Sequence, residues 1–135
     1  MAISIVRLGT HRGPREGLRL GTVRRPPRGV RKADYAKKDY YDVWLPNLSP
    51  SASLVKMGLA AEDRAGWASF VRRFTAELRR PEASHLLDTL AALSHVADFS
   101  VGCYCEAEAR CHRSVLCREL ARRGAAIRHG SPTGV

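Results

Sequence analysis

Four cysteines stand within fifteen positions of this chain, Cys103, Cys105, Cys111 and Cys117, and His112, Arg113 and Ser114 follow the third of them directly. A thiol beside an imidazole and two guanidiniums is a residue set for nucleophilic sulfur chemistry. Arg110 and Arg113 favour the thiolate of Cys111, and so does a helix start. In that chemistry Cys111 attacks an electrophile, His112 carries the proton and Arg113 holds the oxyanion. The same residues also suit anion binding without catalysis. A guanidinium meets two oxygens of a phosphate or carboxylate at once, and Ser114 and free backbone amides add donors.

Each candidate has a plainer reading that the sequence leaves open. Cysteine is among the most buried residue types, so Cys111 is equally a helix-start side chain packed on a sheet. Arg113 is equally a structural tie to Glu106, Glu108 or Asp42. Glu106 is the one acid considered as a general base in the loop before Cys111, and paired with Arg110 it is only a loop charge. Cys117 reads as core. A metal is not expected: zinc knuckles place ligand pairs two residues apart in turns, whereas Cys103 is mid-strand and no distant ligand pair is evident. No cofactor is expected either. Gly-x-Gly-x-x-Gly and Gly-x-x-x-x-Gly-Lys-Ser/Thr motifs are missing, and the residue six after Cys105 is Cys111, so there is no Cys-x5-Arg loop.

The elements that must position these groups are a strand and a helix. Phe99, Val101, Cys103 and Cys105 share one face at period two. Val115, Leu116, Leu120 and Ala121 recur at helical spacing, and Gly124 is a natural stop. The Cys111–Ser114 run therefore opens a helix just past the carboxyl end of a strand, where unpaired N–H groups attract anions and where open α/β sheets bind ligands.

The rest of the chain supplies a scaffold. Residues 2–8 and 18–23 read as strands, antiparallel if they pair directly, because the connection is too short for a helical crossover. Residues 24–31, Arg-Arg-Pro-Pro-Arg-Gly-Val-Arg, form a loop whose Arg24, Arg25 and Arg28 can close the same pocket. Residues 41–45 read as a third strand. A short helix starts at Ser49 or Ser51 and runs to Met57, with Gly58 as its stop. Residues 62–79 make the clearest helix, with Trp67, Phe70, Val71, Phe74 and Leu78 on one stripe. Pro81 opens the next, whose expected buried face is His85, Leu86, Leu87, Leu90 and Leu93. Residues 125–129 read as a last strand, forming a right-handed βαβ unit with the cysteine strand if both share a sheet. The fold class is α/β: a single, three-layer-like domain over residues 1–129, with a mixed, mostly parallel sheet of four or five strands, and a frayed tail at 130–135.

The chain of 135 residues carries a formal charge of +10. Residues 1–38 hold eleven Lys and Arg against Glu16 and Asp34, so almost all of the excess is N-terminal. That charge is either a solvated face or the footprint of a phosphate-rich partner, a nucleotide or nucleic acid. No recurring aromatic pair for base stacking accompanies it. No apolar run approaches the ~18 residues of a membrane span, and no basic amphipathic helix suits a membrane surface. The N-terminus is too soon charged for a signal peptide. Cys103 and Cys105 lie ~6.6 Å apart on one strand face with parallel side chains, poor geometry for a disulfide. A reduced, cytoplasmic protein is the expectation. A basic structural or interaction module without a site is the third functional reading.

A strand of apolar-x-Cys-x-Cys-Glu, a short loop and a Cys-His-Arg-Ser helix start resembles the bacterial and archaeal family catalogued as domain of unknown function 488. Pro27-Arg28-Gly29-Val30-Arg31-Lys32 is similar to a segment of that family's short branch, as are Trp67, Phe70, Arg72, Arg73, Phe74, Glu77 and Leu78. The likeness spans most of residues 2–121 and implies a compact α/β domain with no established activity. It also implies that a thiol at Cys111 is not general, since some relatives carry Asn in its place. Val23 stands where the short branch commonly has Asp, and Pro26 where Trp is usual, so a carboxylate role at that position is absent from this chain.

Overall fold

Alternating apolar positions build the central strands and a three-to-four spacing builds the helices. The computed structural model describes residues 1–105 and 111–128. In chain order these form β1 (Ile3–Arg7), β2 (Leu18–Gly21), β3 (Val43–Trp44), α1 (Ala52–Ala60), α2 (Arg64–Leu78), α3 (Pro81–Leu93), β4 (Phe99–Cys103), α4 (His112–Arg122) and β5 (Ile127–Arg128). The strands make one sheet in the order β3-β2-β4-β1-β5, and every pairing is parallel. The class is α/β, with a wholly parallel sheet among the described residues rather than a mixed one.

β1 and β2 do not pair, because β4 lies between them. The chain returns from the end of β1 to the start of β2 through residues 8–17 without a helix. Ten residues of extended chain reach ~33 Å. The span is a five-residue strand of ~17 Å and two strand spacings of ~10 Å in all, so an irregular crossover suffices. Gly17 makes the entry into β2 possible. Its φ is +63°, and a Cβ there would stand 2.0 Å from the Asp98 carbonyl oxygen. β4 and β5 share the sheet with β1 between them.

The register fixes which residues face which layer. Ile3, Leu18 and Phe99 are partners, and so are Leu20 and Val101, so these point one way. Ile3, Phe99 and Val101 pack with Leu54 of α1, Phe70, Phe74 and Leu78 of α2, Leu87 and Leu90 of α3, and Val115, Leu116 and Leu120 of α4. All four helices thus cover one face. Ser4, Arg19 and Ser100 point the other way. That layer is irregular chain: Tyr41 lies over Gly21, and fully buried Arg19 donates to Glu16 and to the carbonyls of Asp39 and His11.

Several boundaries differ from expectation for local reasons. Ser51 precedes α1 but makes no side-chain cap bond. Gly58 does not stop α1; it lies inside, where a Cβ would meet the Phe70 ring at 3.0 Å, so it is a packing glycine. Asp63 caps α2 through Gly66 N–H at 2.7 Å. On α3 the buried face is Ala83, Leu87, Leu90 and Ala91, while His85 and Leu93 are exposed. Leu87 and Leu90 of the expected stripe are buried and Leu86 packs partly against the core, while Ala83 and Ala91 complete the buried face in place of His85 and Leu93. Gly124 ends α4 with φ +83°, as its position predicts. Among the described residues no helix is long and apolar enough to cross a membrane. His129 and the segment 130–135 lie outside the described residues.

Candidate functional site

β4 is clamped on both sides where it ends. The Gly102 carbonyl accepts from Thr22 N–H at 3.1 Å and from Thr22 Oγ1 at 2.9 Å, and the Cys103 carbonyl accepts from Leu8 N–H at 2.8 Å. Cys103 is therefore rigidly placed. Two residues on, Cys105 repeats the strand's alternation, and the chain comes back at Cys111 to open α4. The result is that Cys103, Cys105, Cys111 and His112 converge, with their four ligand-type atoms within 4.8 Å of one another. Cys103 and Cys111 are buried, whereas Cys105 and His112 are partly exposed.

His112 is oriented by two contacts. Its Nε2 lies 2.7 Å from the Thr22 carbonyl, and its ring meets Phe74 edge-on at 5.9 Å. A carbonyl only accepts, so Nε2 carries a proton, and in the neutral ring Nδ1 is then the nitrogen that presents a lone pair. Nδ1 lies 3.9 Å from Cys111 Sγ. The thiols share protons unequally. Hydrogen bonds from Cys103 and Cys105, with help from His112, push the Cys111 thiol far down against the cost of its burial. Cys103 moves far up, through its hydrogen bonds to Cys105 and Cys111 and through desolvation. For Cys105, the Cys103 bond lowers the value, but the Cys111 bond and burial together leave it raised.

Arg113, in the first turn of α4, is 4% exposed. One of its terminal nitrogens donates to the Cys105 carbonyl at 2.7 Å. Its Nε–H is buried and has no partner among the described residues. Asp42, one of its expected partners, is taken by Arg12, at 2.7 and 3.2 Å, and by the Arg19 N–H at 2.8 Å. These bonds hold the Asp42 carboxyl below its usual range even though burial pushes it up. Glu106, Glu108 and Arg110 lie outside the described residues. Ser114 turns its hydroxyl to the Cys111 carbonyl at 2.8 Å, so it braces the helix start from inside. Cys111 itself makes no side-chain cap bond, which leaves first-turn N–H groups without that partner.

The arginines of the 24–31 loop divide. Arg24 donates to the carbonyls of Pro50 and Ser49, at 3.0 and 3.2 Å, and lines a cleft of about 190 Å³ with Glu77 and Arg80. It is a strut to the segment before α1 and does not meet Arg113. Arg25 is exposed, and its carbonyl accepts from Tyr104 Oη at 3.0 Å, which brings the loop beside the end of β4. Arg28 is exposed. Around the helix start, Cys103 and Cys111 pack with Leu8, Val23 and Tyr41. The spot is more enclosed than a bare helix end. Sequence reasoning named Cys105, Cys111, His112, Arg113 and Ser114, which the fold does gather. It weighed Cys103 only as a metal ligand and set it aside as mid-strand, and it missed Thr22 as the partner of His112. The period-two placement of Cys103 and Cys105 was the signal for the first; the second follows only from β2 lying beside β4.

Comparison with known proteins adds one relationship. Residues 3–124 match the family described as DUF488-N3a, Active DUF488-N3 subclade. No curated protein and no solved structure matches the chain.

Proposed function

The chain belongs to the DUF488 family, and we propose that its α4 start binds an anionic, phosphate-bearing ligand, a nucleotide or a nucleic-acid phosphate. The observation that carries this reading is Arg113. A buried guanidinium whose Nε–H has no partner among the described residues is costly unless an acceptor completes it. It stands in the first turn of a helix, where amide donors and the dipole favour the same negative guest. Arg25 and Arg28, exposed on the loop that Tyr104 ties to β4, extend the positive surface toward further phosphates. The reading includes a reducing, cytoplasmic setting, in keeping with four cysteines of which none forms a disulfide.

Titrations with inorganic phosphate, a mononucleoside monophosphate and a single-stranded oligonucleotide test it. Phosphate and the nucleotide should bind, and Arg113→Lys, which keeps the charge but loses the planar fork, should weaken both about tenfold or more. If the ligand is a strand, oligonucleotide affinity falls steeply with salt, and Arg25→Ala with Arg28→Ala flattens that slope. Absence of phosphate and nucleotide binding, with salt-insensitive oligonucleotide binding, overturns the proposal.

A second reading has its own observation. Hydrogen bonds from Cys103 and Cys105 push the Cys111 thiol down, toward the thiolate that a nucleophile requires, and His112 Nδ1 stands 3.9 Å from its sulfur. Against it, Cys111 is only 1% exposed. Alkylation of the reduced native chain, mapped by mass spectrometry, separates the cases. Rapid modification of Cys111 near pH 7 supports catalysis, and labelling of Cys111 only after unfolding excludes it.

A further inference from the structure

We propose that Cys103, Cys105, Cys111 and His112 form a four-coordinate zinc site. Three thiolates and one imidazole are the donor set of closed structural zinc centres, and soft sulfur ligands select zinc over magnesium or calcium. At zinc–sulfur distances of about 2.3 Å, tetrahedral geometry separates two sulfurs by about 3.8 Å. The four donor atoms already lie within 4.8 Å of one another, and Cys111 Sγ and His112 Nδ1 are 3.9 Å apart. Side-chain adjustments of an ångström or less close the site.

The imidazole gives an independent argument. A metal-bound histidine almost always donates its other ring N–H to a carbonyl or carboxylate, which fixes the ring and the tautomer. His112 does this to the Thr22 carbonyl, leaving Nδ1 aimed at the thiols. Charge gives another. Zinc with three thiolates carries one net negative charge, and the buried guanidinium of Arg113 lies alongside, bonded to the Cys105 carbonyl. The cation that lacks a described counter-charge acquires one. The metal would pin the end of β4 to the start of α4, and so set the position of Arg113.

The site uses sulfur atoms and Nδ1, whereas the anion reading uses the Arg113 Nε–H and backbone amides, so either can fail alone. A loaded site and a guest anion draw on the same positive charge, so zinc-loaded protein should bind phosphate more weakly than metal-free protein.

The test is metal analysis of the reduced full chain, followed by cobalt(II) titration of the chelator-stripped protein. We expect one zinc per chain, and a cobalt complex with intense tetrahedral bands and a thiolate-to-cobalt charge-transfer band. Cys105→Ser and His112→Gln should lose or weaken those bands, while Cys117→Ser keeps them. Because the wild-type spectrum is itself decisive, a variant that misfolds does not spoil the test. Absence of bound zinc together with a pale octahedral cobalt spectrum overturns the proposal, as does a wild-type spectrum that survives Cys105→Ser and His112→Gln.

Discussion

The imidazole of His112 reaches from the first turn of α4 to the carbonyl of Thr22, 2.7 Å away, and so ties the helix to the end of β2. The two residues are ninety positions apart in the chain. β4 lies beside β2 in the sheet and α4 follows β4, so the bond crosses the carboxyl edge where the thiols gather.

His112→Phe keeps a ring against Phe74 but leaves the Thr22 carbonyl without its imidazole donor. We expect a loss of about 1–3 kcal/mol, the cost of an unsatisfied buried acceptor. Urea unfolding in the presence of a chelator measures it free of any metal contribution. An unchanged midpoint would show that solvent satisfies the carbonyl and that the tie contributes nothing.

Glu119 is the electrostatic hub between helices. It is 3% exposed and accepts from Arg79 at 3.2 and 3.1 Å and from Arg123 at 3.0 Å. Arg123 continues to Asp88 and Ser84 of α3, so α2, α3 and α4 are joined. Burial pushes the Glu119 carboxyl up, but the bonds from Arg79 and Arg123 outweigh it and leave the value lowered. A lowered folded value means the unfolded chain takes up the proton first. The contribution is therefore complete above the unfolded value of 4.5 and fades as the pH falls below it. Glu119→Ala should cost about 3 kcal/mol, the low end for breaking a buried pair, since Arg79 is half exposed. It should also flatten the acid limb of the stability–pH curve. An acid limb identical to wild type would refute the linkage.

Gly102 has no room for a side chain. A Cβ would stand 2.6 Å from the Val6 carbonyl oxygen and 2.8 Å from Leu8 Cδ2. Gly102→Ala must spread β1 from β4 beside Cys103. We expect about 1–3 kcal/mol of destabilisation, toward the upper end because the obstacle is backbone. Thermal unfolding checks this, and a Tm equal to wild type would mean the strands part without cost.

Much of the architecture was legible because it is local. The apolar stripe from Trp67 to Leu78, Pro81 at a helix start, Gly124 at a helix end and the alternation of Phe99, Val101 and Cys103 each declare their element. What was not legible is spatial order. Nothing in the chain around residues 8–17 says that it passes β4 before re-entering the sheet, and extended chain needs no helical signature to do so. The site was half legible for the same reason. Cys105, Cys111, His112 and Arg113 are close in sequence, but the roles of Thr22, Arg19 and Asp42 depend on which strands are neighbours. Arg24 shows the converse: an arginine in a basic loop reads as a ligand group, yet Ser49 and Pro50 carbonyls claim it.

The central claim, that Arg113 waits for an anion, is tested most directly by the Nε–H resonance of that side chain in a nitrogen–proton correlation spectrum during titration with inorganic phosphate. The account predicts a saturable shift of the Arg113 Nε–H signal, accompanied by the first-turn amides of α4 and absent from Arg24. An Arg113 signal that stays still while phosphate moves only the exposed arginines would contradict it.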